Sequence, residues 1–103
     1  MTDPKEAQRC AEKLQALAEE NRIRIIECLR SGAKNVTQLA TMLKMQVVNV
    51  SHHLGVLRSK DLVLFEKQGR FARYYLNPKL FNKNGDDCTC LDLGWCRIEI
   101  PDA

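Results

Sequence analysis

The apolar residues of this chain change their spacing once, near residue 60, and that change limits the fold more than any other feature. Up to Leu57 they recur every three or four positions, as helices lying on a shared core require. From Leu62 onward they fall in short extended runs around glycine turns, the pattern of strands. Four helices are predicted before the change. Asp3 caps the first, with Pro4 at its first position and Glu6 three residues on. Its apolar stripe is Ala7, Cys10, Ala11, Leu14, Leu17 and Ala18. Asn21 caps a second helix with Ile23, Ile25, Ile26 and Leu29, which Ser31 and Gly32 close. A short third helix covers residues 37–43, with Val36, Leu39, Ala40 and Leu43 as contacts. After a turn at residues 44–46, a fourth spans residues 47–59. It turns Val47, Val50, Leu54 and Leu57 inward. Val48, Asn49, His52, Gly55 and Ser59 face outward, with Ser51 on the flank.

Beyond the change, residues 62–67 and 71–76 flank Gln68, Gly69 and Arg70 and read as a β-hairpin. Asn77 and Pro78 end it. The polar stretch 82–87 breaks any helix. After it the chain looks extended, with Ile98 and Ile100 on one side and Arg97 and Glu99 on the other. The expected organisation is one domain over residues 1–81, mainly α with a small β-hairpin (α+β), and a cysteine-bearing tail over residues 82–103, expected to be an extended strand. With 103 residues there is room for a single core, and with aromatics at 6% that core must be aliphatic.

Three helices, a reading helix and a basic hairpin, in that order, describe a winged helix-turn-helix. The fourth helix would enter the major groove while the hairpin lies along the phosphates. Asn49 can pair bidentately with adenine, Ser51 and His52 can bond base edges, and Val48 can meet a thymine methyl or a protein partner. Lys67, Arg70 and Arg73 would contact phosphate, and Arg58 joins the DNA-binding set. His53 reads as a packing histidine at the core edge. Adjacent residues on a helix point about 100° apart, so His52 and His53 do not chelate one ion.

Charge follows the same plan. Residues 44–79 carry seven basic groups against Asp61 and Glu66, a net of +5, whereas residues 80–103 carry a net of −3. The basic middle predicts a polyanion-binding surface. The opening residues show no basic and apolar leader, and no run approaches the ~18 apolar residues of a membrane span. A cytoplasmic chain with reduced thiols is expected.

Residues 36–43 (VTQLATML), 49–58 (NVSHHLGVLR), 61–63 (DLV) and 68–78 (QGRFARYYLNP) closely resemble the ArsR/SmtB repressors, and the similarity reaches back to residues 17–26 (LAEENRIRII). It covers roughly residues 10–80. The resemblance implies a homodimeric winged-helix repressor, paired through its first helix, that leaves double-stranded operator DNA when a metal, metalloid or redox signal binds. Many relatives sense metal through a Cys-x-Cys pair at the start of the third helix, or through His and Asp on a last helix. Neither is present: the third helix has Gln38, Leu39, Ala40 and Thr41, and the cysteine tail stands where the last helix would be.

That tail offers Cys88, Cys90 and Cys96, three thiols within nine residues. They fit a trigonal all-sulfur site for a soft ion such as As(III), Sb(III) or Cu(I), and Cys10 as a fourth ligand would make a Zn(II)-type site. In a straight strand Cys88 and Cys90 sit ~6–7 Å apart, so the segment must bend, and Gly94 provides a place. Cys10 and Cys28 lie on or beside apolar helix faces, where packing is the ordinary role. Asp86, Asp87 and Asp92 oppose thiolate formation unless a cation is bound, which counts against redox chemistry. The alternative reading is a winged-helix protein-interaction or redox-responsive module with structural or redox tail cysteines. An enzyme is not expected, for there is no glycine-rich phosphate loop, no Cys-x-x-Cys pair and no nucleophile with an evident base.

Overall fold

A computed structural model describes residues 3–83 and 88–101. Helix α1 (Pro4–Leu17) begins at Asp3, whose carboxylate accepts from the Lys5 amide at 2.9 Å. Helix α2 (Glu20–Leu29) begins earlier than the Asn21 cap predicts, because the Glu19 carboxylate accepts from the Arg22 amide at 3.0 Å and so takes the capping role. A two-residue strand β1 (Lys34–Asn35) leads into α3 (Val36–Leu43). There Asn35 and Gln38 cap each other's backbone amides reciprocally, at 2.8 Å each. Lys44, with φ of 54°, ends α3 in the left-handed region and redirects the chain into α4 (Val47–Ser59).

The core is aliphatic, as the scarcity of aromatics predicts. Ile25, Leu39, Val50, Leu54, Leu57, Leu62 and Val63 are fully buried where α2, α3 and α4 meet the base of the hairpin. Ala7, Ala11 and Ala18 of the first stripe are exposed, and two larger residues assigned inward by spacing also point outward: Val47 is 50% exposed and Ile23 55%. These two lie in the first turn of their helices, where the stripe runs past the edge of the core. Strands β2 (Val63–Gln68) and β3 (Phe71–Leu76) form the hairpin in the register Gln68 opposite Phe71, leaving Gly69 and Arg70 as a two-residue loop. Gly69 has φ of 62°, which suits glycine at the first loop position. Strand β1 pairs with β3, giving the order β1-β3-β2.

The tail is more than one extended strand. Strands β4 (Phe81–Lys83), β5 (Cys88–Asp92) and β6 (Arg97–Pro101) form a second antiparallel sheet in the order β4-β5-β6, and β4 runs across the expected boundary at residue 81. The chain reverses at Gly94, whose φ is 87°. The Asp92 carboxylate accepts from the Gly94 amide at 2.9 Å, and the Leu93 amide donates to the Cys96 carbonyl at 2.9 Å. Alternation along β5 sends Thr89 and Leu91 inward and Cys88, Cys90 and Asp92 to the other face. Phe81, Leu91 and Leu93 thereby join the main core.

A polar clasp holds this sheet to α2. The Arg30 side chain, only 8% exposed, donates from Nε to Thr89 Oγ1 at 3.2 Å and from Nη2 to the Ile100 carbonyl at 3.1 Å. Its Nη1 serves both the Pro101 carbonyl at 3.2 Å and Glu27 Oε2 at 2.8 Å. Removing this guanidinium strands several acceptors together, so Arg30→Ala is expected to cost about 2–4 kcal/mol. Arg30→Lys should recover little, because one ammonium lacks the planar fork. Urea unfolding checks both expectations, and unfolding free energies within about 0.5 kcal/mol of wild type would show that the clasp adds nothing.

Candidate nucleic-acid interface and thiol pair

Burial of one face of α4 leaves the other for contact. Val50, Leu54 and Leu57 are fully covered, while Val48, Asn49, Ser51, His52, Gly55, Arg58 and Ser59 are exposed, Val48 at 68%. The helix is secured at its far end by Asn77, a buried amide. Its Nδ2 donates to the Asp61 carbonyl at 2.8 Å and its backbone amide to the Leu62 carbonyl at 3.1 Å. These bonds fix the end of α4 against the root of the hairpin. The Arg58 guanidinium lies 3.9 Å over the Phe65 ring, stacked on β2 at the exposed end of α4.

At the hairpin tip Lys67 and Arg70 are exposed, flanking the turn glycine. Arg73 is exposed on β3 and its Nη2 donates to the Ala33 carbonyl at 3.4 Å, tying it to the segment before α3. A feature absent from the sequence reading lies beside them. Lys34, Asn35, Thr37, Gln38, Thr41, Met42 and Phe71 line an open groove between α3 and the hairpin, with Met42 and Phe71 more than half exposed. Phe71 follows the turn directly and carries the only signal, an aromatic ring at a hairpin tip. His53 is half-buried with Nδ1 3.7 Å from Glu19 Oε2, and its ring centroid is 5.7 Å from that of His52. Among the described residues no three His, Cys, Asp or Glu side chains gather as a metal site.

The cysteines are divided by the reversal at Gly94. Cys96 precedes β6 and faces inward, where its Sγ lies 3.7 Å from Cys10 Sγ on α1. Cys88 and Cys90 occupy the opposite face of β5, so the tail trio is not brought together. Asp86 and Asp87 lie outside the described residues. Burial, and secondarily the neighbouring Cys96, push the Cys10 thiol above its ordinary value of 9.0. Burial also raises Cys28, whose half-covered thiol lies on α2. Among the described residues no helix is long and apolar enough to cross a membrane.

Residues 19–64 match the family model described as bacterial regulatory protein, arsR family. The chain is 42% identical over 74 residues to the HTH-type transcriptional regulator NmtR of Mycobacterium tuberculosis, covering 72% of this chain and 62% of that one. A crystal structure of a possible transcriptional regulator for arsenical resistance is similar at 37% identity and a TM-score of 0.63, covering 66% of this chain and 71% of that one. So is the solution structure of a homodimeric winged helix-turn-helix DNA-binding domain from Mycobacterium bovis. It shows 28% identity and a TM-score of 0.69, and covers 77% of this chain and 75% of that one. The match spans between 54% and 62% of the length of the first curated relatives. These proteins are described as regulators of transcription rather than as enzymes, and the fold they share with this chain is the winged helix-turn-helix.

The raised Cys10 value has a consequence for stability. The fold favours the neutral thiol, so its contribution is complete below the ordinary value of 9.0 and is lost as pH rises through the higher folded value. Urea midpoints of this chain should therefore fall further between about pH 8 and about pH 10 than those of Cys10→Ala. Equal declines in the two proteins would remove the basis for the raised value.

Proposed function

The chain belongs to the ArsR family of bacterial regulatory proteins, and we propose that it is a cytoplasmic, homodimeric, DNA-binding transcriptional repressor released from its operator by a thiophilic metal or metalloid. One observation carries the DNA-binding part: the small polar outer face of α4 lies free beside a hairpin tip with Lys67 and Arg70 exposed. Val48, Asn49, Ser51 and His52 read base edges in the major groove, while Lys67, Arg70 and Arg73 set the register on the phosphates. Arg58, stacked on Phe65, presents its charge to the backbone at the end of the reading helix. Dimerisation through α1 is part of the proposal. Ala7 and Ala11 are exposed on that helix and leave its outer face available to a symmetry mate.

The inducer reading rests on thiols. As(III), Sb(III), Cu(I) and Zn(II) are the ions that cysteine sulfur selects. Relatives named for arsenical resistance support a soft ion of this kind. The tail contributes Cys88, Cys90 and Cys96, and the separation of Cys96 from Cys10 makes it the tail thiol with a partner. Cys10, held above its ordinary value by burial, is a slow nucleophile toward oxidants, which counts against a redox role for that thiol.

Selection from a random-sequence duplex library, followed by fluorescence anisotropy with the selected duplex, tests the DNA-binding part. Asn49→Ala is expected to weaken binding about tenfold and relax preference at one base position. Replacing Lys67 and Arg70 together by alanine should weaken all duplexes alike and reduce the salt slope by about 2. Failure to select any duplex, with a partner affinity insensitive to salt, would point instead to a protein-interaction module. Titration of As(III), Sb(III), Cu(I) and Zn(II) into the complex tests induction. At least one should raise the anisotropy midpoint in wild type and not in Cys96→Ser.

A further inference from the structure

We propose that Cys10 and Cys96 form a two-thiol receptor for trivalent arsenicals that already carry one organic substituent. This rests on the inducer reading above and narrows it to a site and a ligand class. The starting point is the distance of 3.7 Å between the two sulfurs. Two thiolates held ~2.3 Å from one pyramidal or tetrahedral centre lie about 3.4–3.8 Å apart, so the pair is already spaced to bridge such a centre. A disulfide demands sulfurs ~2.05 Å apart, closer than the pair stands. A linear two-sulfur ion demands about 4.6 Å, which would push them apart. The observed spacing fits neither of these.

The number of ligands narrows the class further. Cys88 and Cys90 face away on the far side of β5, and no third His, Cys, Asp or Glu joins the pair among the described residues. Inorganic arsenite in an all-sulfur site wants three thiols. A monosubstituted arsenical R–As(III) has one valence filled by carbon and needs only two. The reaction is a condensation, R–As=O with two Cys–SH giving R–As(S–Cys)2 and water. Two As–S bonds replace the bonds to oxygen, both thiol protons leave on that oxygen, and arsenic stays trivalent throughout. No oxidant or reductant takes part. Neutral thiols serve such a condensation, which agrees with the raised Cys10 value.

Access and readout are built into the same turn. Cys96 is half-buried and reacts first, and Cys10, 3% exposed on α1, closes the ring. Trp95, the single tryptophan of the chain, adjoins Cys96 and is 61% exposed. Occupancy fixes α1 to the β5–β6 turn, in the sheet that Arg30 ties to α2.

The experiment uses phenylarsine oxide with the reduced full chain and no DNA. Native mass spectrometry is expected to show one arsenical bound with loss of one water, two fewer titratable thiols, and a change in Trp95 fluorescence. Cys10→Ser and Cys96→Ser should each weaken binding about 100-fold, because a chelate becomes a single bond. Cys88→Ser and Cys90→Ser should stay within about twofold of wild type. Peptide mapping of alkylated wild type, with and without phenylarsine oxide, should find Cys10 and Cys96 protected, which needs no variant to fold. Protection of Cys88 or Cys90 instead, or full affinity in Cys10→Ser, overturns the assignment. Since DNA is absent, such a failure leaves the repressor reading standing. Conversely, tight binding without any effect on a selected duplex would count against induction and leave the receptor intact.

Discussion

Packing of aliphatic side chains from α4 against α2 and α3 is the constraint on which the rest of this structure depends. Leu54 and Leu57 leave no surface to water, nor do Ile25 of α2 and Leu39 of α3 in the same core cluster. Each such side chain contributes roughly 1.5–3 kcal/mol by leaving water, and together they fix the rotation of α4 about its own axis. Rotation is what matters for recognition. A helix turned by one residue would bury Asn49 or Ser51 and expose a leucine. The same core receives Leu62 and Val63 from the root of the hairpin, so the helix and the hairpin are referred to one set of contacts. Asn77 completes the joint with hydrogen bonds, which aliphatic packing cannot direct.

The second sheet depends on a different kind of contact. Its apolar inner face is modest, and Ile98 and Ile100 stay only half-buried beside a cleft of about 230 Å³ shared with Leu17, Ile23 and Ile26. Arg30 supplies the direction that this face lacks. A guanidinium is tolerated there because each of its nitrogens has an oxygen to serve, from a threonine hydroxyl, two strand carbonyls and a carboxylate. The sheet is therefore part of the domain rather than an appendage to it, and the thiol it carries can meet one on the first helix.

Most of the helical half was legible in the sequence because its signals are local. The Asp3 cap, the spacing of Val50, Leu54 and Leu57, and the Gly69 turn each act within a few residues. Spacing also shows where a stripe runs, though not where the core beneath it stops, and hence Ile23 and Val47 emerge exposed. Glu19 took the cap of α2 from Asn21 because a glutamate reaching the Arg22 amide looks no different in sequence from a surface charge. The tail was the hardest to read. In Cys88, Thr89, Cys90, Leu91 and Asp92 only one residue is strongly apolar, so period-two alternation hardly registers. Gly94 offers a place to bend in the sequence itself. What it brought together, Cys96 with Cys10, depends on the tail packing back across α1, and no local pattern encodes that. The residues proposed to face DNA stand outside any such pairing, and their assignment rests on their side chains and their positions along α4 and the hairpin.

The thiol pair also bears on the order in which the chain acquires its properties. Cys10 and Cys96 are 86 residues apart in sequence, whereas the contacts that set α3, α4 and the hairpin span far shorter stretches. Long-range closure comes late in folding, because the entropy of ordering the intervening chain must first be met by other contacts. The core of the helical head therefore rests on contacts that do not need Cys96. Until the tail packs back, Cys10 lacks its partner, so the two-thiol arrangement belongs to the folded chain as a whole and not to the helical head alone.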